Sequence, residues 1–85
     1  GNFHVVLPFD PTKKEMYKQI RAFNDSLIKK ALELNGTITG EHGVGLHKKE
    51  YLLEEHPDNI PVMKSIKRTI DPNNIMNPGK IFDLN

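Results

Sequence analysis

The sequence predicts an α+β chain, in which short antiparallel β segments pack on helices, and three observations lead there. Asn2 to Phe9 is rich in Phe and Val, Met16 to Leu34 repeats apolar residues at helical spacing, and Thr37-Ile38-Thr39 sets β-branched residues between glycines. β-branched and aromatic side chains fit a pleated surface, whereas a three- and four-residue apolar repeat makes one side of a helix.

Taken in order, a strand over 2–9 places Asn2, His4 and Val6 on one face and Phe3, Val5 and Leu7 on the other. Asp10-Pro11-Thr12 then opens a helix: proline suits the first helical position, and Thr12 with Glu15 offers a capping box. Met16, Ile20, Phe23, Leu27, Ala31 and Leu34 form its apolar stripe, and Asn35-Gly36 ends it as a left-handed cap. A second β segment at Thr37–Thr39 is broken by Gly40-Glu41-His42-Gly43-Val44-Gly45. A short helix is expected over Lys48 to Glu55 and another over Pro57 to Ile70, with Val62, Met63, Ile66 and Ile70 buried. Asp71-Pro72 stops it, because the residue before a proline is pushed out of the helical region. The tail from Asn73 to Lys80 is dense in turn formers, yet Ile75 and Met76 are apolar, so it should be pinned down.

At 85 residues the chain is one domain or less, and a chain this short buries only about 60% of its unfolded surface, so its stability alone should be marginal. It has no cysteine, which removes disulfides and thiolate metal sites and is compatible with a cytoplasmic location. Twelve Lys+Arg against eleven Asp+Glu give a formal charge of +1, and the basic pairs are diluted by acids, so nothing calls for nucleic acid. No apolar run approaches the ~20 residues of a membrane span, which leaves at most a peripheral membrane position through partners. Opening directly on strand-like residues, the chain is expected to continue a longer polypeptide upstream.

Chemistry concentrates at 40–45. Glycines let backbone approach a ligand, while Glu41 and His42 set a carboxylate beside an imidazole. Those groups suit a divalent ion or proton transfer, and the same hexapeptide is also compatible with a glycine turn bearing two solvated polar residues. The glycine order is not that of a dinucleotide-binding or phosphate-cradling loop. His4, on the polar strand face, supplies a second imidazole that meets the loop if the two β segments pair, although it is equally a half-exposed strand histidine. His47 and His56 lie in charged surroundings and should be solvated. Asn77 and Lys80 are turn residues within reach of a ligand.

Three ordered segments, Gly1-Asn2-Phe3-His4, Gly36 to Gly45, and Asp71 to Lys80, together resemble the C-terminal part of FAD-linked oxidases. That family includes the glycolate oxidase FAD subunit, D-lactate dehydrogenase and D-2-hydroxyglutarate dehydrogenase. The resemblance implies a ferredoxin-like cap-domain fragment over residues 1–85 that covers a small 2-hydroxy-acid substrate against an N-terminal FAD-binding domain outside the chain. It implies that His4 and Glu41 ligate a divalent metal (zinc, iron or manganese), that His42 is the catalytic base, and that Asn77 lies near the flavin. It also implies hydride transfer from substrate C2 to flavin N5, an electron-acceptor partner that can be a separate subunit, and a fragment inactive by itself. The chain departs from the family at two points. A further histidine and aspartate fall before Gly1, and Val6 stands where relatives often carry asparagine. A free-standing ferredoxin-like module that binds a metal or small acid is the alternative from another class. A metallohydrolase fragment fits less well, because the paired His-x-x-x-His of a zinc hydrolase helix is missing.

Overall fold

Residues 1–85, all described by the computed structural model, form three helices and no strand: α1 (Lys14–Glu33), α2 (Lys49–Glu55) and α3 (Ile60–Ile70). The expected α+β, ferredoxin-like arrangement is therefore corrected to an all-helical one. The reason lies in what a strand needs, a neighbour about 4.8 Å away that takes up its N–H and C=O groups. Pro8 removes one donor from the 2–9 segment, and Thr37–Thr39 offers only three residues between its glycines. Nor does the alternation of 2–9 bury anything, since Phe3 is 73% and Val6 82% exposed. Both segments are irregular.

The chain divides into two compact units, Gly1–Glu41 and His42–Asn85. In the first, Asp10 accepts from the Thr12 backbone N–H at 2.9 Å and from its hydroxyl at 2.7 Å, and Lys13 N–H donates to the Asp10 carbonyl at 3.1 Å. The Thr12 hydroxyl, and next its N–H, hold the Asp10 carboxyl below its ordinary range. This turn engages Thr12, so the expected capping box does not form and the helix starts at Lys14 with no side-chain cap. At the far end Asn35 N–H reaches Leu32 O at 3.0 Å and Gly36 N–H reaches Ala31 O at 2.7 Å, the two bonds of a Schellman ending. The left-handed residue is Asn35, with φ 61°. Asparagine tolerates that conformation because its short polar side chain bonds locally.

Burial in the first unit centres on Ile28 and Ile38. The expected α1 stripe is only partly covered: Ile20, Leu27 and Ala31 are half-buried, while Met16, Phe23 and Leu34 are exposed. The Phe9 and Tyr17 rings meet at 6.0 Å between centroids in a tilted pair, which ties the N-terminal segment to the first turn of α1.

In the second unit α2 is capped by His56 N–H donating to Leu52 O at 2.9 Å. Then α3 begins at Ile60, three residues later than the sequence pattern suggests, with Pro61 in its first turn where a missing N–H costs nothing. Its buried residue is Ile60, and the expected stripe is turned outward: Val62, Ile66 and Ile70 are exposed, with Met63 half-buried. The stripe spacing was right and its direction was not, since spacing defines a face and three of its four residues are exposed.

Asp71 closes α3 and organises the tail behind it. Its carboxylate pairs with the Lys67 ammonium and accepts the backbone N–H of Ile75 at 3.0 Å and of Met76 at 2.8 Å. The Lys67 bond, together with those two N–H bonds, outweighs desolvation and lowers the Asp71 pKa to about 2 from 3.8. A depressed folded-state value stabilises the fold above the unfolded value and is lost as pH falls through the folded one. We therefore expect the thermal midpoint to drop between pH 4 and pH 2, and Asp71→Asn to lower it at pH 7 while flattening that acid limb. Matched unfolding curves for the two proteins across pH 2–7 check this; parallel acid limbs would remove Asp71 from the account.

Candidate functional site

The end of the first unit brings together two of the residues singled out in the sequence. His4 Nε2 lies 2.9 Å from Glu41 Oε1, although the two are 37 positions apart and neither is in regular structure. Gly40 makes this approach feasible. A Cβ placed there would stand 3.1 Å from the Asn2 amide nitrogen and 3.2 Å from its Cβ, so any other residue would push Asn2, two residues before His4, away from the loop by a few tenths of an ångström. Both side chains remain more than half exposed, at 54% and 62%. An exposed pair of this kind contributes roughly 0–1 kcal/mol to stability. Its interest is chemical.

An imidazole nitrogen facing a carboxylate oxygen is a donor set that zinc, iron and manganese accept. The two residues thus fit a divalent ion as two of its ligands, with others required to complete a shell. His42, the next residue after Glu41, opens the second unit and is exposed. It is followed by Gly43 at φ 74°, where a Cβ would meet nothing within 4 Å. The loop therefore needs glycine at 43 for its backbone conformation rather than for space.

Asn77 is exposed in the tail of the second unit, at φ 45°. It borders a cleft of about 180 Å³ shared with Lys67, Asn74, Lys80 and Phe82. Pockets that enclose a drug-sized ligand run to roughly 300–1,000 Å³, so this cleft does not hold a whole FAD. The exposed Asn77 borders that cleft with an amide that offers both donors and an acceptor. His47 is exposed, and the exposed His56 lies 3.5 Å from Glu55, in line with solvated histidines.

The sequence pattern did not single out the residues that hold Asn77 in place. Lys67 donates to the Met76 carbonyl as well as to Asp71, and Lys49 donates to the Gly79 carbonyl at 3.0 Å and to Asp83 at 2.8 Å. The four-residue spacing of Lys67 and Asp71 on a helix was a legible signal. The reach of Lys49 across 30 positions was not.

These motifs belong to a known family. The sequence profile described as FAD linked oxidases, C-terminal domain, matches residues 1–81, and the chain belongs to this family. Among its relatives are a probable mitochondrial D-lactate dehydrogenase of Danio rerio, 45% identical over 85 residues, and the glycolate oxidase subunit GlcD of Bacillus subtilis, 42% identical over 83. A D-2-hydroxyglutarate dehydrogenase of Stutzerimonas stutzeri is 40% identical over 85 residues. The alignments cover 99%, 96% and 96% of this chain but only 17%, 18% and 18% of the respective relatives. The chain thus spans less than a fifth of the curated relatives' length. No helix is long and apolar enough to cross a membrane.

For Gly43 a sharp expectation results. Gly43→Val should destabilise the second unit by about 1–2 kcal/mol through backbone strain, and Gly43→Asn should cost clearly less. Denaturant unfolding of the two variants reads the difference; equal stabilities would show that the left-handed conformation is not required.

Proposed function

We propose that this chain works as the C-terminal part of a FAD-dependent 2-hydroxy-acid dehydrogenase, acting on glycolate, D-lactate, D-2-hydroxyglutarate or a related acid. The observation that carries the reading is the His4–Glu41 pair at 2.9 Å, in a chain whose family is FAD-linked and whose relatives are named for those acids. Membership in that family favours this reading over a free-standing binding module. Most of the FAD surface must then be held by polypeptide beyond these 85 residues, because the cleft beside Asn77 is too small for it. The 85 residues alone should be inactive. Reduced flavin would pass its electrons to a separate acceptor.

In this reading His4 and Glu41 hold a divalent ion, and His42 takes the substrate hydroxyl proton. An exposed imidazole following directly on a ligand suits that task, since histidine gains and loses protons near neutral pH. Asn77 contacts the flavin edge from its fixed turn. The metal, when bound, supplies Lewis-acid polarisation of the α-hydroxyl and carboxylate. FAD, when bound, supplies the two-electron acceptor, at N5, for the hydride leaving C2. Proton loss to His42 and hydride loss to the flavin would together leave the 2-oxo acid and a reduced flavin.

The direct test is anaerobic. The flavin band of the intact enzyme should bleach on adding one of the three acids, and a flavoprotein that none of them bleaches would remove the substrate class. His42→Ala should slow that bleaching by roughly 10²–10⁴-fold without releasing FAD, the range for a lost general base; unchanged kinetics would acquit His42. Glu41→Gln should lower the bound metal found by elemental analysis. Equal metal in mutant and parent would make Glu41 structural only.

A further inference from the structure

The turn that carries Asn77 is held more firmly than its exposure suggests. Asp71 accepts the N–H groups of Ile75 and Met76, and Lys67 donates to the carbonyl of Met76, the residue just before Asn77. Beyond it, Lys49 donates to the carbonyl of Gly79 at 3.0 Å. Backbone on both sides of Asn77 is thus fixed by ammonium groups from two different helices, α3 and α2. Neither lysine is a typical solvated one: their side chains are 22% and 25% exposed. An ammonium aimed at a backbone carbonyl makes a stronger bond than a neutral donor, and each bond here restrains a segment that has no regular structure of its own.

The same segment stores strain. Asn77 is at φ 45° and Ile81 at φ 71°, with Phe82 N–H bonded to Lys80 O at 2.8 Å across Ile81 in a γ-turn. A β-branched residue in that region is a genuine outlier. It persists because Ile81 N–H is also tied to Gly45 O at 2.8 Å, three residues after His42. Strained backbone kept by surrounding bonds is what a position-critical segment shows.

We propose that Lys49 and Lys67 are positioning residues that fix the orientation of the Asn77 amide, and through it the environment of the flavin. Lys67 acts on the near side of Asn77 and also secures the carboxylate that pins the turn. Lys49 acts on the far side. This rests on the reading that Asn77 contacts the flavin. A lysine that served stability alone would lower the thermal midpoint and leave the bound flavin's spectrum and potential as they were.

The test uses the intact flavin-loaded enzyme, with Asn77→Ala, Lys49→Met, Lys49→Arg and the Lys49→Met/Asn77→Ala double variant. Lys49→Met keeps the hydrocarbon stem and removes only the donor. The expected result is that Asn77→Ala shifts the visible flavin band and the midpoint potential, and that Lys49→Met shifts both in the same direction. Lys49→Met should also lower kcat by about tenfold with KM changed less than about twofold, the mark of an interaction felt at the reacting centre rather than in substrate binding. Lys49→Arg should return the band toward that of the parent. The double variant should be no worse than Asn77→Ala alone, because both changes act through one group.

Parent-like spectrum, potential and kcat in a folded Lys49→Met, beside an altered Asn77→Ala, overturn the positioning role and leave the flavin contact standing. A silent Asn77→Ala overturns both. If Lys49→Met does not fold, Lys49→Gln, whose shorter amide cannot reach the same carbonyl, must show the same shift; parent-like values there overturn the proposal equally.

Discussion

The Asp71 carboxylate is the point on which the second unit turns. Following directly on α3, this one side chain takes the Lys67 ammonium and satisfies two backbone N–H groups of the next turn, and Asp71 is among the most buried residues of the chain at 5% exposure. A buried carboxylate without partners would be costly, whereas one with a cation and two N–H donors is compensated. Because those donors belong to Ile75 and Met76, the same bonds that make the burial tolerable also dictate the course of the tail. Two exposed apolar residues are thereby held in a turn that their own burial would not maintain.

The first unit depends on a different constraint, close approach rather than charge. Gly40 leaves room for the Asn2 side chain, and with Asn2 against the loop His4 arrives at Glu41. No sheet is required. Both units have small cores, with Ile28 and Ile38 in one, Leu52 and Ile60 in the other, and no side chain fully enclosed. In such a chain a few polar bonds carry weight that a large core would otherwise carry.

Several elements were legible because they rest on neighbours in sequence. The long helix follows from its apolar repeat, its end at Asn35-Gly36 from the scarcity of residues that adopt φ above zero, and the stop after Ile70 from Asp71-Pro72. The Glu41-His42 loop was also marked by composition alone, and two of its glycines, Gly43 and Gly45, have positive φ. The β segments were misjudged for a physical reason: alternation describes what a strand would do with a partner and says nothing of whether one is present. The outward-facing α3 stripe was misjudged likewise, since spacing defines a face and not what covers it.

By itself, then, the sequence determined the three helices and their stops, which follow from local sterics, while side-chain chemistry and the family resemblance made Glu41, His42, His4 and Asn77 its candidates. Only the tertiary structure decided that His4 meets Glu41, that no sheet forms, and that Lys49 reaches Gly79 from 30 positions away. Contacts between distant segments depend on how the whole chain closes, and closure is a balance of many weak terms that no single stretch of residues contains.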